Sequence, residues 1–175
     1  MKLFAVFVGG SHERANIELH DMRFVMGESL EAIAPQLRAT WWGKQSSLHV
    51  DGYAELSEVD GWQVDIVPGP APEGPMRSLW FVNIGGYTPE LFGEQHNYLF
   101  LAGEGKAKVW TRARAISPSW AGRHKDNFVS VDEIVEVNSL LGDAGWHIRL
   151  EKPATGERPM RIVSEYVKLG ADSQT

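Results

Sequence analysis

The chain predicts an α+β fold built as two pseudo-symmetric β-β-α-β-β repeats with mainly antiparallel sheets, and three observations carry that prediction. First, a stretch is doubled. Glu18-Leu19-His20-Asp21, the apolar run Met22 to Met26 and Gly27 recur as Glu94-Gln95-His96-Asn97, Tyr98 to Ala102 and Gly103, each 76 residues on. The same spacing carries Gly9-Gly10 onto Gly85-Gly86. Second, the periodic segments of each half read strand, strand, helix, strand, strand. Third, Pro68-Gly69-Pro70-Ala71-Pro72-Glu73-Gly74-Pro75 separates the halves with the composition of a linker. The expected division is a first lobe at 1–67, a linker at 68–78, a second lobe at 79–152 and a C-terminal strand and tail at 153–175. A repeat this long exceeds the periods of solenoids and argues for a pair of lobes.

The bulk composition sets bounds on partners and chemistry. The 175 residues are 43% hydrophobic, enough to bury a core. A net charge of −6 and a pI near 5.5 leave no electrostatic footprint for a nucleic-acid backbone, so no nucleic acid is expected. The absence of cysteine removes disulfides, thiolate ligands and thiol nucleophiles together. Any metal would need His and carboxylate ligands. No stretch approaches the roughly 18 apolar residues of a membrane span, and the N-terminal apolar run is too short for a secretory signal. A soluble cytoplasmic protein without a membrane partner is the expectation.

Taken in order, Met1 to Val8 reads as a buried strand, matched by Leu79 to Ile84. Gly9-Gly10 reads as a tight turn and Ser11 to Asn16 as a loop. From Ile17 the residues alternate, so that under strand geometry Glu18, His20, Met22, Phe24 and Met26 share one face. Leu30, Ile33, Leu37 and Trp41 form one helical stripe, with Ser29 as N-cap and Pro35 as the conflict, since an interior proline costs about 3 kcal/mol. In the second half Lys106 to Ile116 is a cleaner helix with Val109, Trp110 and Ala113 inward. Its basic residues read as a solvated face.

After the helices, His49-Val50-Asp51 is matched to His124-Lys125-Asp126 at a spacing of 75. The strand Tyr53 to Val59 is then matched to Phe128 to Val137, and Trp62 to Ile66 to Trp146 to Leu150. An insertion is expected within Asn138 to Gly145. Met160 to Leu169 alternates as an extra edge strand, fit to pair within the chain or with a second copy in a homodimer. Gly170 to Thr175 reads as a tail. The tryptophans at or near these elements, Trp41, Trp42, Trp80, Trp110, Trp120 and Trp146, are expected in core or inter-lobe packing.

The opening Met1-Lys2-Leu3-Phe4, the Gly-Gly segment, Asn16-Ile17-Glu18-Leu19-His20-Asp21, Gly85-Gly86-Tyr87 and His124-Lys125-Asp126-Asn127 together resemble a bacterial family catalogued as domain of unknown function 1543. The resemblance extends nearly through Leu150. It implies a bacterial cytoplasmic protein and a duplication, and supplies no catalytic residue.

Function is sought in the doubled polar motifs. Four of the six histidines fall in them, giving Glu18, His20, His49 and Asp51 in one half and Glu94, His96, His124 and Asp126 in the other. Residues two apart on a strand point the same way, so each motif presents nitrogen and oxygen together. Three readings stand: struts that hydrogen-bond loop backbone, a ligand site without metal, and a divalent-metal centre. The function expected is a non-enzymatic module that binds a small anionic ligand or a protein partner. The alternative is a metal-assisted or two-histidine-type phosphoester hydrolase.

Overall fold

The computed structural model describes residues 1–74, 76–88, 90–116, 129–141, 145–153 and 160–169. In chain order the elements are β1 (Lys2–Gly10), β2 (Leu19–Gly27), α1 (Leu30–Thr40), a 3-10 turn at Gln45–Ser47, β3 (His49–Glu55), β4 (Glu58–Val59), β5 (Trp62–Pro68) and β6 (Ser78–Gly86). They continue as β7 (Gln95–Gly103), α2 (Lys106–Ile116), β8 (Val129–Glu136), α3 (Val137–Leu140), β9 (Trp146–Glu151), β10 (Arg161–Val163) and β11 (Val167–Lys168). The fold is α+β, with few helices and antiparallel pairing in the ladders around β1, β3 and β6. Among the described residues no helix is long and apolar enough to cross a membrane. Two compact units divide the chain. The first gathers Met1–Glu58, Val64–Ile66 and the described part of Thr155–Thr175; the second gathers Val59–Gln63 and the described part of Val67–Ala154.

In the first unit β1 lies between β2 and β3, with β10 and β11 along the outer edge of β3. Alternation then sorts the side chains. Phe4, Val6 and Val8 of β1 join Val50 of β3 in a core closed by Ile33, Ala34, Leu37 and Trp41 of the α1 stripe. Leu3, Ala5, Phe7 and Gly9 take the other face. Ser29 caps α1 as expected, its Oγ accepting from the Ala32 N–H at 3.3 Å. Pro35 sits inside the helix on its exposed side, so neither a break nor a late start is needed. β2 ends on Gly27, where a Cβ would run into Ile33 Cγ2.

The expected Tyr53 to Val59 strand is divided by Leu56 and Ser57 into β3 and β4, since Leu56 turns its N–H to the Leu3 carbonyl at 2.9 Å. The expected strand Met160 to Leu169 is likewise two short strands, β10 and β11, both paired antiparallel with β3. Leu169 follows them into the first unit's core at 5% exposure. Its N–H donates to the Leu48 carbonyl at 2.9 Å, and its own carbonyl accepts from Arg38 Nε at 2.6 Å.

The second unit centres on β6, flanked by β7 and β8. Trp80, Val82 and Ile84 of β6 pack with Leu101, Val109, Ala113 and Ile134. α2 has the bounds read from the sequence, and Val109 and Ala113 are buried. Trp110 corrects the expectation: it is 43% exposed, with the Arg114 guanidinium 4.8 Å over its ring. Trp42 is also exposed, at 49%. Residues 59–63 group with this unit and not with the first lobe. The reason lies in Asp60 and Trp62. Asp60 adopts φ 58° beside Gly61 at φ 71°, the left-handed pair of a tight hairpin turn. Its carboxylate accepts from the Ala102 N–H at 3.1 Å and pairs with Arg112 at 2.8 Å. Trp62 is held by Arg77 at 4.3 Å and Lys152 at 4.2 Å from its ring centroid.

Candidate functional site

The site of the first unit is built by strand register. Gly9 of β1 stands opposite His20 on β2 and opposite His49 on β3, so both imidazoles rise on either side of a residue that has no side chain. The pairing of β1 with β3 slips between Phe7 and Val8, leaving Asp51 as the extra residue of a bulge. Glu18 precedes β2 by one residue. Four side chains thereby converge: His20 Nε2 lies 3.0 Å from Asp51 Oδ2 and 3.7 Å from Glu18 Oε2, while His49 Nε2 lies 3.3 Å from Glu18 Oε1 and 3.4 Å from Asp51 Oδ1.

The electrostatics follow from one hydrogen bond. His49 Nδ1 lies 2.8 Å from the Ser47 carbonyl, which can only accept, so the proton belongs on Nδ1. Nε2 of the neutral ring then carries a lone pair directed at two carboxylates. That arrangement calls for positive charge between them, either a proton or a bound cation. Asp51 Oδ2 gives the same signal: it is closed to solvent and, although 3.0 Å from His20 Nε2, has no donor in hydrogen-bonding alignment among the described residues.

The two glycines before the site are not a turn. Gly9 and Gly10 continue β1, and their need is close approach. A Cβ on Gly9 would fall 2.7 Å from His49 Nε2, 2.8 Å from His20 Cδ2 and 2.9 Å from Asp51 Oδ2. On Gly10 it would meet Trp41 Cζ2 at 2.8 Å and Ser47 Oγ at 3.0 Å, on the face that α1 covers. Ser47 also accepts the Ser11 N–H at 2.9 Å through Oγ, which fixes the turn whose carbonyl orients His49.

Two aromatic neighbours escape any reading of the motifs alone. Phe7 stacks on His20 with ring centroids 5.2 Å apart and planes 10° from parallel, because it is the next residue on that face of β1. Tyr166, between β10 and β11, lies 4.6 Å from the His49 ring. Alternation along β1 gives a signal for Phe7. Nothing local signals Tyr166, which arrives through the pairing of the C-terminal strands with β3. The site remains open on one side: the side chains of His49, Asp51, His20 and Glu18 are 4%, 31%, 36% and 45% exposed.

Among its described residues the second unit does not repeat the cluster. His96 stands opposite Gly85, and its Nδ1 lies 3.1 Å from Asn83 Oδ1. Asn83 occupies the position on β6 that Phe7 has on β1. Glu94 is exposed just before β7. Opposite Gly85 on β8 stands Ser130, and the pairing of β6 with β8 slips so that Asp132 is the extra residue. The sequence match of His49 and Asp51 to His124 and Asp126 is therefore displaced: the register positions fall to Ser130 and Asp132, six residues later than the matched pair. His124 and Asp126 themselves lie outside the described residues. Among the described residues, one group has His, Asp or Glu ligand atoms all within 4.8 Å of one another, namely Glu18, His20 and His49.

Fold and site together define an α+β protein with a solvent-facing imidazole and carboxylate cluster on the sheet of its first unit. Residues 15–66, a span that holds Glu18, His20, His49 and Asp51, match the model of the family described as Domain of Unknown Function (DUF1543). The crystal structure of a protein Il1583 from Idiomarina loihiensis is similar over 96% of this chain and 97% of that one, with 30% sequence identity and a TM-score of 0.69. No curated protein matches the chain.

Proposed function

We propose that the chain is a ligand-binding module whose site is the Glu18, His20, His49 and Asp51 cluster, and that its ligand carries positive charge. The observation that carries this reading is His49 Nε2 set 3.3 Å and 3.4 Å from two carboxylates while Nδ1 lies 2.8 Å from the Ser47 carbonyl. The same charges weigh against the anionic ligand expected from the sequence, since Glu18 and Asp51 would repel it. They also weigh against a two-histidine phosphoesterase. The metal-assisted hydrolase keeps one supporting observation, the exposure of Glu18 and His20, which leaves a bound cation a side facing solvent.

The test is the thermal midpoint of chelator-treated protein against divalent metals, an alkylammonium ion and phosphate. A ligand of the native state raises the midpoint by mass action. Stabilisation by cations, lost in Glu18→Gln and absent with phosphate, is the expected result. Stabilisation by phosphate, or by nothing, would remove the reading.

The doubling belongs to the same proposal. Support comes from the shared order of two strands, a helix and a strand in each unit. The bulges also agree, between Phe7 and Val8 in one ladder and between Asn83 and Ile84 in the other, at the 76-residue spacing.

A further inference from the structure

We infer that the cation is a divalent transition metal of the zinc class, one per chain, held by Glu18, His20 and His49. This rests on the cation-binding reading and narrows it. Two imidazole nitrogens with a carboxylate suit a borderline ion; calcium and magnesium take oxygen ligands almost throughout. Ligand atoms set about 2.1 Å from a tetrahedral zinc are about 3.4 Å from one another. Glu18 already lies 3.7 Å from His20 Nε2 and 3.3 Å from His49 Nε2, so little movement separates this arrangement from coordination.

Three further features belong to a metal site more than to a cluster of struts. His49 turns its remote Nδ1–H to the Ser47 carbonyl oxygen, which accepts it, the support that metal-bound histidines almost always have. Gly9 keeps the sheet bare beneath the ligand atoms, where a methyl group would touch both histidines. Asp51 Oδ2 is closed to solvent and lacks an aligned donor beside His20 Nε2, an uncompensated acceptor at the edge of the ligand set. In the second unit Ser130 stands at the register position of His49, so among the described residues the three-ligand set occurs once.

The experiment is calorimetric titration of the chelator-treated full chain with Zn²⁺, Ca²⁺ and butylammonium in separate runs. One Zn²⁺ per chain is expected, bound about 100-fold or more tightly than Ca²⁺. Glu18→Gln and His20→Ala, both at exposed positions, should each weaken Zn²⁺ binding at least tenfold while keeping the wild-type circular dichroism. His96→Ala should bind as wild type does. Butylammonium binding without Zn²⁺ binding would overturn the metal and leave the cation reading standing, whereas binding of neither cation nor metal would end both. Two Zn²⁺ per chain, or wild-type affinity in His20→Ala, would overturn the assignment of ligands.

Discussion

Gly9 shapes the site by what it lacks. With a side chain there, His49, Asp51 and His20 would all have to move, because a Cβ would lie within 2.9 Å of an atom of each. Gly9→Ala is therefore expected to cost about 1–3 kcal/mol in urea denaturation, the usual range for overpacking. The cation-dependent shift in thermal midpoint should disappear in the same variant, even where the protein remains folded. A loss of stability with the shift intact would mean that the glycine serves packing alone. Gly9 and Gly10 show how the two faces of one sheet are served by adjacent residues. His49 closes the site above β1, while Gly10 makes room for Trp41 and Ser47 beneath it.

Each helix illustrates a separate balance between local preference and packing. α1 runs from Leu30 to Thr40 through Pro35, whose ring removes one backbone donor on the exposed side. Burial of Ile33, Ala34 and Leu37 against β1 outweighs that loss. Pro35→Ala should raise stability by about 2 kcal/mol, the interior-proline penalty less the entropy that proline removes from the unfolded chain, as read from the urea midpoint. The α2 region offers a pH test. Glu104 is held below its ordinary carboxylate range, first by a hydrogen bond and charge from Lys108 and then by Arg77. A carboxyl depressed in the folded state adds stability that is present above its unfolded range and is lost as the pH falls through its folded value. Wild type and Glu104→Gln should thus differ in thermal midpoint at neutral pH and converge under acid conditions.

At the scale of the molecule, chain order and spatial grouping part company. Residues 59–63 belong with the second unit, and 160–169 return to the first. Leu169 is the clearest consequence, bonded to Arg38 across a sequence separation of 131 residues and buried with Ile33 and Leu37. Leu169→Ala should lower stability by about 2–5 kcal/mol. Hydrogen exchange should quicken in α1 and β3 and stay unchanged in α2, since each unit has its own core. Equal acceleration in both units would show that they open together.

Legible in the sequence alone were the two strands and helix that open each half, the cap at Ser29, the limits of α2, and four of the side chains that meet at the site. Those are local matters: alternation, the 3.6-residue stripe and capping chemistry act within a few residues and can be read from spacing. Which motifs converge is set by strand pairing across the fold. The bulge at Asp51, the register that sets Ser130 and not His124 against Gly85, and the approach of Tyr166 to His49 each depend on which residue of one strand faces which residue of another. A one-residue change of register turns a whole strand over. Spacing along the chain holds no record of that choice, which is made by the packing of distant segments.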